Sequence, residues 1–223
     1  MWTKSVNRSG MLLIIAGILI AGPMLFHPDD SRPDFAFPVV WVPVHVLMGI
    51  GALSCLAGLA GLYWTLQGKV TVFGSITFAL AILGTILFVG LLFFVEATLL
   101  PDLGRDPAYQ SLLRDNGPLM GGSFGFAVIA SLTLVSLSYL LLAIYLIASR
   151  IISVANGLLF IGAPLAAFAP PLPYAVGIFG GVLFGVALIW LGVSIRRGTA
   201  HKALEVEMRF EDECLLLHAG GHA

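Results

Sequence analysis

The sequence predicts an all-α integral membrane bundle of six transmembrane helices with both termini cytoplasmic, and three observations carry that prediction. Of 223 residues, 59% are apolar and 10% charged, with a mean hydropathy of +1.01; an ordinary soluble domain is roughly a quarter charged. Charge-free stretches recur near the ~20 residues that cross a hydrocarbon layer. The basic residues fall in alternate connections, as the positive-inside bias demands. A net charge of -1 without a basic face excludes a nucleic-acid partner.

The predicted spans are about residues 9–26, 41–66, 70–100, 119–148, 151–169 and 174–195, followed by a cytoplasmic tail at 201–223. Lys4 and Arg8 precede the first apolar run, and no small-x-small cleavage site follows Ala21-Gly22-Pro23, so this run reads as a retained helix rather than a signal peptide. The last charge-free stretch is too long for one crossing, and Pro170-Pro171-Leu172-Pro173 divides it into two. Lys4, Arg8, Lys69, Arg150, Arg196, Arg197, Lys202 and Arg209 then share one side against Arg32, Arg105 and Arg114 on the other. That excess places the termini in the cytoplasm and the chain in a plasma or inner membrane as a multi-pass protein. Cys55 lies inside a span and Cys214 in the tail, too far apart for a disulfide.

Helices associate in lipid through small residues that let backbones approach. Gly177, Gly181 and Gly185 form such a face on the sixth helix and offer a surface for oligomerisation. The stretch Gly17-Ile18-Leu19-Ile20-Ala21-Gly22 resembles Gly157-Leu158-Leu159-Phe160-Ile161-Gly162, which hints at a parallel repeat of two hairpins.

Phe35, Phe37 and Trp41 read as an interfacial aromatic belt at the start of the second helix. Asp106-Pro107 and Asn116-Gly117-Pro118 bracket a short surface helix that turns Tyr109, Leu112 and Leu113 to the membrane. In the tail, Leu204, Val206, Met208 and Phe210 alternate with charged residues at a strand period, a pattern suited to lying near the bilayer or adding to a partner's sheet edge. Cys214, His218 and His222 have helical metal-ligand spacing, which Gly220-Gly221 interrupts.

Glu96 is the one acidic or basic residue inside an apolar run proper. With the third helix ending at Pro101, it lies roughly 7 Å from that end, and His45 lies about 6 Å past Trp41 on the same side, at 1.5 Å per residue. His27 closes the first helix there too. Ionisable groups in lipid are expensive and face the bundle interior, paired with one another. These three residues therefore form the candidate site, with Asp29, Asp102 and Arg105 as auxiliaries and Asp30 close by in sequence.

Four readings follow. His27, His45 and Glu96 could form a structural polar knot. They could line the outer-leaflet pocket of a binding or accessory subunit, with His27 and His45 as axial ligands of a haem or all three on a metal ion. They could instead hold the zinc or iron of a hydrolase, with Asp102 or Asp29 as base, although the chain carries neither H-E-x-x-H nor G-x-S-x-G. A small transporter is the fourth, with Ser131, Thr133, Ser136 and Ser138 as the polar group nearest the midplane.

Overall fold

The computed structural model describes residues 2–29, 39–113, 117–119, 121–167 and 173–198. Every regular element among them is helical. α1 is Trp2–Met24, α2 Trp41–Leu66 and α3 Val72–Gly90; a π-helical stretch Leu91–Leu99 continues α3 without a break into α4, Leu100–Arg105. α5 is Ser123–Ala148, α6 Val154–Leu159, α7 Gly162–Ala167 and α8 Tyr174–Arg196.

Five of these helical runs are long and apolar enough to cross a membrane: Asn7–Met24, Trp41–Leu66, Val72–Arg105, Ser123–Ala148 and Tyr174–Arg196. The expected span at 151–169 is different. Its described part, Val154–Ala166, is a shorter apolar segment, broken at Phe160 and Ile161 into α6 and α7. The matching stretch of α1, from Gly17 to Gly22, is unbroken helix, so the two halves of the suspected repeat differ in local structure.

Glycine contacts set the packing order. α8 runs antiparallel to α1: a Cβ on Gly185 would lie 2.7 Å from the Gly17 carbonyl oxygen, and one on Gly10 2.7 Å from that of Gly192. Gly181, further up α8, faces Met24. Two positions of the predicted small-residue face, Gly181 and Gly185, thus meet α1 of the same chain. Gly51 and Gly58 of α2 meet Ala16 and Leu13 of α1, while Gly84 of α3 meets Val135 of α5. α7 packs on both α5 and α8 and closes the ring. The start of α1 and the end of α8 accordingly lie at one end of the bundle, with Tyr174 and His27 at the other.

Turn chemistry makes these hairpins tight. Leu66 to Lys69 form a type II turn, closed by Lys69 N–H to Leu66 O at 2.9 Å with Gly68 at φ 90°, the conformation that position requires. α5 ends in a Schellman motif: the Ile151 amide reaches Leu146 O at 2.9 Å and that of Arg150 reaches Ile147 O at 2.9 Å. The left-handed position in this motif belongs to Arg150, at φ 54°, where glycine is usual. Thr71 and Ser153 cap α3 and α6 through their hydroxyls.

Buried polar groups are satisfied inside the bundle, as lipid demands. Thr85 spends its one proton on Ala81 O at 2.6 Å. Its oxygen therefore accepts from the Tyr139 hydroxyl at 2.7 Å, which in turn accepts from the Cys55 thiol at 3.1 Å. This chain links α2, α3 and α5, with Tyr139 stacked on Phe160 and edge-on to Phe184. Asn156, fully buried, donates its amide to Ala187 O at 3.2 Å and accepts from the Leu191 amide at 3.3 Å, fastening α6 to α8. Ser131, Thr133, Ser136 and Ser138 all donate back to carbonyls of α5 at 2.7–2.9 Å.

Beyond Glu96 the expected boundaries shift. The helix does not stop at Pro101 but runs on to Arg105 through the π-helical stretch. Among the described residues the surface helix after Pro107 reduces to a single 3-10 turn, Gln110–Leu112, although Asp106 Oδ1 takes the Ala108 amide at 2.9 Å as the expected cap would. The alternating tail and its Cys214, His218 and His222 lie outside the described residues, as do Asp30, Phe35 and Phe37.

Replacing Gly185 with Leu should part α1 from α8 and lower the thermal midpoint in detergent by about 5 °C, as overpacking costs about 1–3 kcal/mol; an unchanged midpoint would contradict the backbone contact. Arg150→Gly should act oppositely, adding about 1 kcal/mol by relieving the left-handed conformation. A drop in midpoint would remove that reading of the turn.

Candidate functional site

α1 ends one residue after Pro23, and the chain leaves it through tight turns in which the Phe26 amide reaches Pro23 O at 2.9 Å and that of His27 reaches Met24 O at 3.2 Å. These turns carry His27 back over the end of the bundle. The Tyr174 hydroxyl, at the start of α8, donates to the His27 carbonyl and ties the turn to the opposite helix. His45, in the second turn of α2, is 3% exposed.

The geometry brings the three predicted residues together. His27 Nε2 and His45 Nε2 are 3.2 Å apart, and His45 Nε2 is 3.9 Å from Glu96 Oε2. Each imidazole has its other nitrogen against a backbone carbonyl: His27 Nδ1 donates to Pro28 O at 2.9 Å and His45 Nδ1 to Trp41 O at 2.8 Å. Carbonyl oxygens only accept, so both rings carry their proton on Nδ1. The two Nε2 lone pairs then converge on each other. Such a contact between neutral rings is repulsive, and a cation between them makes it favourable.

The auxiliaries divide. Asp29, half-buried, follows His27 by two residues. Asp102 and Arg105 pair with each other at 3.2 Å on the exposed surface, one helical turn apart, so neither is engaged with the histidines.

Trp41 belongs to the site rather than to the expected belt. It is 2% exposed, its ring lies on that of His45 with centroids 4.3 Å apart, and it also meets His27 at 5.4 Å. Its indole N–H donates to the Glu96 backbone carbonyl at 2.6 Å. Pro101 is the reason that carbonyl needs a side-chain donor. In the π-helical pattern the Leu100 amide reaches Val95 O, and the residue five beyond Glu96 is proline, with no N–H to offer. The indole supplies it and fixes α3 to α2 beside the histidines.

A haem does not fit between these rings. Its iron would hold two axial nitrogens about 4 Å apart across a macrocycle, whereas the imidazoles touch edge to face with centroids 4.9 Å apart. The nitrogen spacing does fit one edge of a tetrahedral metal site, since two Zn–N bonds of 2.0–2.1 Å span about 3.3 Å. The backbone carbonyls on both Nδ1 atoms are the usual outer partners of metal-bound histidine. Glu96 Oε2, at 3.9 Å from His45 Nε2, is about half an ångström beyond that edge, and among the described residues no group of three His, Cys, Asp or Glu side chains is placed to hold a metal ion.

The fold and its apolar surface define a multi-pass helical membrane protein. Comparison with known protein families, with curated proteins and with solved structures gives no match.

Trp41, Tyr174 and Pro101 were not legible as site residues. The spacing of Trp41 four before His45 and Pro101 five after Glu96 was the available signal. Trp41→Phe keeps the ring and deletes one hydrogen bond to a buried carbonyl, which should cost about 1–3 kcal/mol. A thermal midpoint equal to wild type would show that the indole N–H is not needed there.

Proposed function

We propose that this chain is a multi-pass protein of the plasma or inner membrane, a binding or accessory subunit that holds one divalent metal ion between His27, His45 and Glu96 on the extracytoplasmic side. The observation supporting the metal is the convergence of two Nε2 lone pairs at 3.2 Å with both Nδ1 protons directed elsewhere. Two imidazoles and a carboxylate suit zinc or another borderline divalent ion, and Glu96 Oε2 lies 3.9 Å from His45 Nε2, about half an ångström beyond the edge expected for zinc. The side is supported by the excess of Lys and Arg at the opposite end.

The alternatives gain less support. Asp102, a candidate hydrolytic base, is engaged with Arg105 at the surface. The hydroxyls of α5, which a transporter would turn to a substrate, are spent on their own helix. The same two lone pairs also accommodate a shared proton with Glu96 as its counter-ion, and metal analysis separates that reading from the first.

Protein purified without a histidine tag in the presence of zinc should carry roughly one metal per chain by mass spectrometry, with no Soret band. His45→Ala should abolish retention and Glu96→Gln should weaken it at least about tenfold. Metal-free wild type, or metal content indifferent to both substitutions, would sink the proposal; the first outcome leaves the shared proton.

A further inference from the structure

At the opposite end of the bundle, an open cleft of about 290 Å³ lies between α1 and α8, lined by Asn7, Ile14, Val193, Arg196 and Arg197. Its chemistry is divided. Ile14 and Val193 are half-buried apolar residues on the membrane side, while the two guanidinium groups and the Asn7 amide stand at the mouth. The described acidic residues, Asp29, Glu96, Asp102 and Asp106, lie at the other end of the molecule. Arg196 and Arg197 accordingly have no carboxylate partner among the described residues.

Arg196 is also held in place. Gly10 lets its side chain cross the α1 backbone, where a Cβ would come within 2.6 Å of Arg196 Cγ, and Nη1 rests 3.8 Å from Met11 Sδ. A thioether is a weak acceptor, so the guanidinium keeps nearly all its donors available. The stem is ordered before any ligand arrives.

We infer that this cleft binds the phosphodiester headgroup of an anionic phospholipid, with Arg196 and Arg197 on the phosphate, Asn7 at the polar head, and the acyl chain descending past Ile14 and Val193. Guanidinium forks match phosphate oxygens in paired hydrogen bonds, and basic pockets between helices at the cytoplasmic face are suited to such headgroups. The apolar floor directly beneath two charges that have no carboxylate partner among the described residues favours a lipid over a free anion, because only a lipid fills both parts. This inference does not depend on the metal reading.

The test is native mass spectrometry of the full chain in detergent with equimolar phosphatidylglycerol and phosphatidylcholine. Wild type should retain phosphatidylglycerol about tenfold or more in preference. R196Q/R197Q should reduce that preference to about one, R196K/R197K should keep part of it, and Arg105→Gln at the far end should leave it unchanged. Circular dichroism of each variant confirms that it is folded. Equal retention of the two lipids by wild type, a preference that survives R196Q/R197Q in the folded protein, or displacement of the lipid by millimolar inorganic phosphate would each overturn the assignment.

Discussion

The close approach of α1 and α8 governs both ends of this molecule. Gly10, Gly17, Gly185 and Gly192 let two backbones touch over two helical turns, about 10 Å. At one end that contact delivers Tyr174 to the His27 carbonyl. At the other it lays Arg196 across Gly10. A single larger residue on this seam would disturb the histidine pair and the basic cleft together, although they are far apart. Lipid supplies no hydrophobic drive between helices, so packing of this kind and internal hydrogen bonds are what hold the bundle.

The second determinant is the π-helical stretch. Widening the helix from Leu91 to Leu99 lets it continue through Pro101, whose ring nitrogen cannot donate to the carbonyl five residues back, that of Glu96. Trp41 answers it from α2 and at the same time packs its ring on His45. A defect in one helix thus becomes the joint that positions a carboxylate beside two imidazoles. π-Helical segments are frequent at functional sites, and this one runs up to a proline five residues after the carboxylate.

Much of this was readable from sequence. Charge-free runs bounded by basic residues gave the five long helices, since the length of a membrane crossing is fixed by the bilayer. The rarity of charge in lipid singled out Glu96, and a shared end brought in His27 and His45. The departures have local causes. Hydropathy does not distinguish straight helix from the break at Phe160 and Ile161, nor α-helical from π-helical turns. It also ranked Trp41 as an interfacial anchor, because an indole's partner across 55 residues leaves no trace in composition. Asn156 was overlooked for the same reason: its partners are backbone atoms of another helix.

Asn156 also bears on how the chain enters its membrane. The segment Val154–Ala166 is shorter than a crossing and carries a fully buried amide whose partners, Ala187 and Leu191, are synthesised about thirty residues later. On its own it is a poor substrate for lateral release into lipid, since the unpaired amide would meet hydrocarbon. The short helices therefore depend on α8 to satisfy that amide in lipid, and the two stretches are stable there only together.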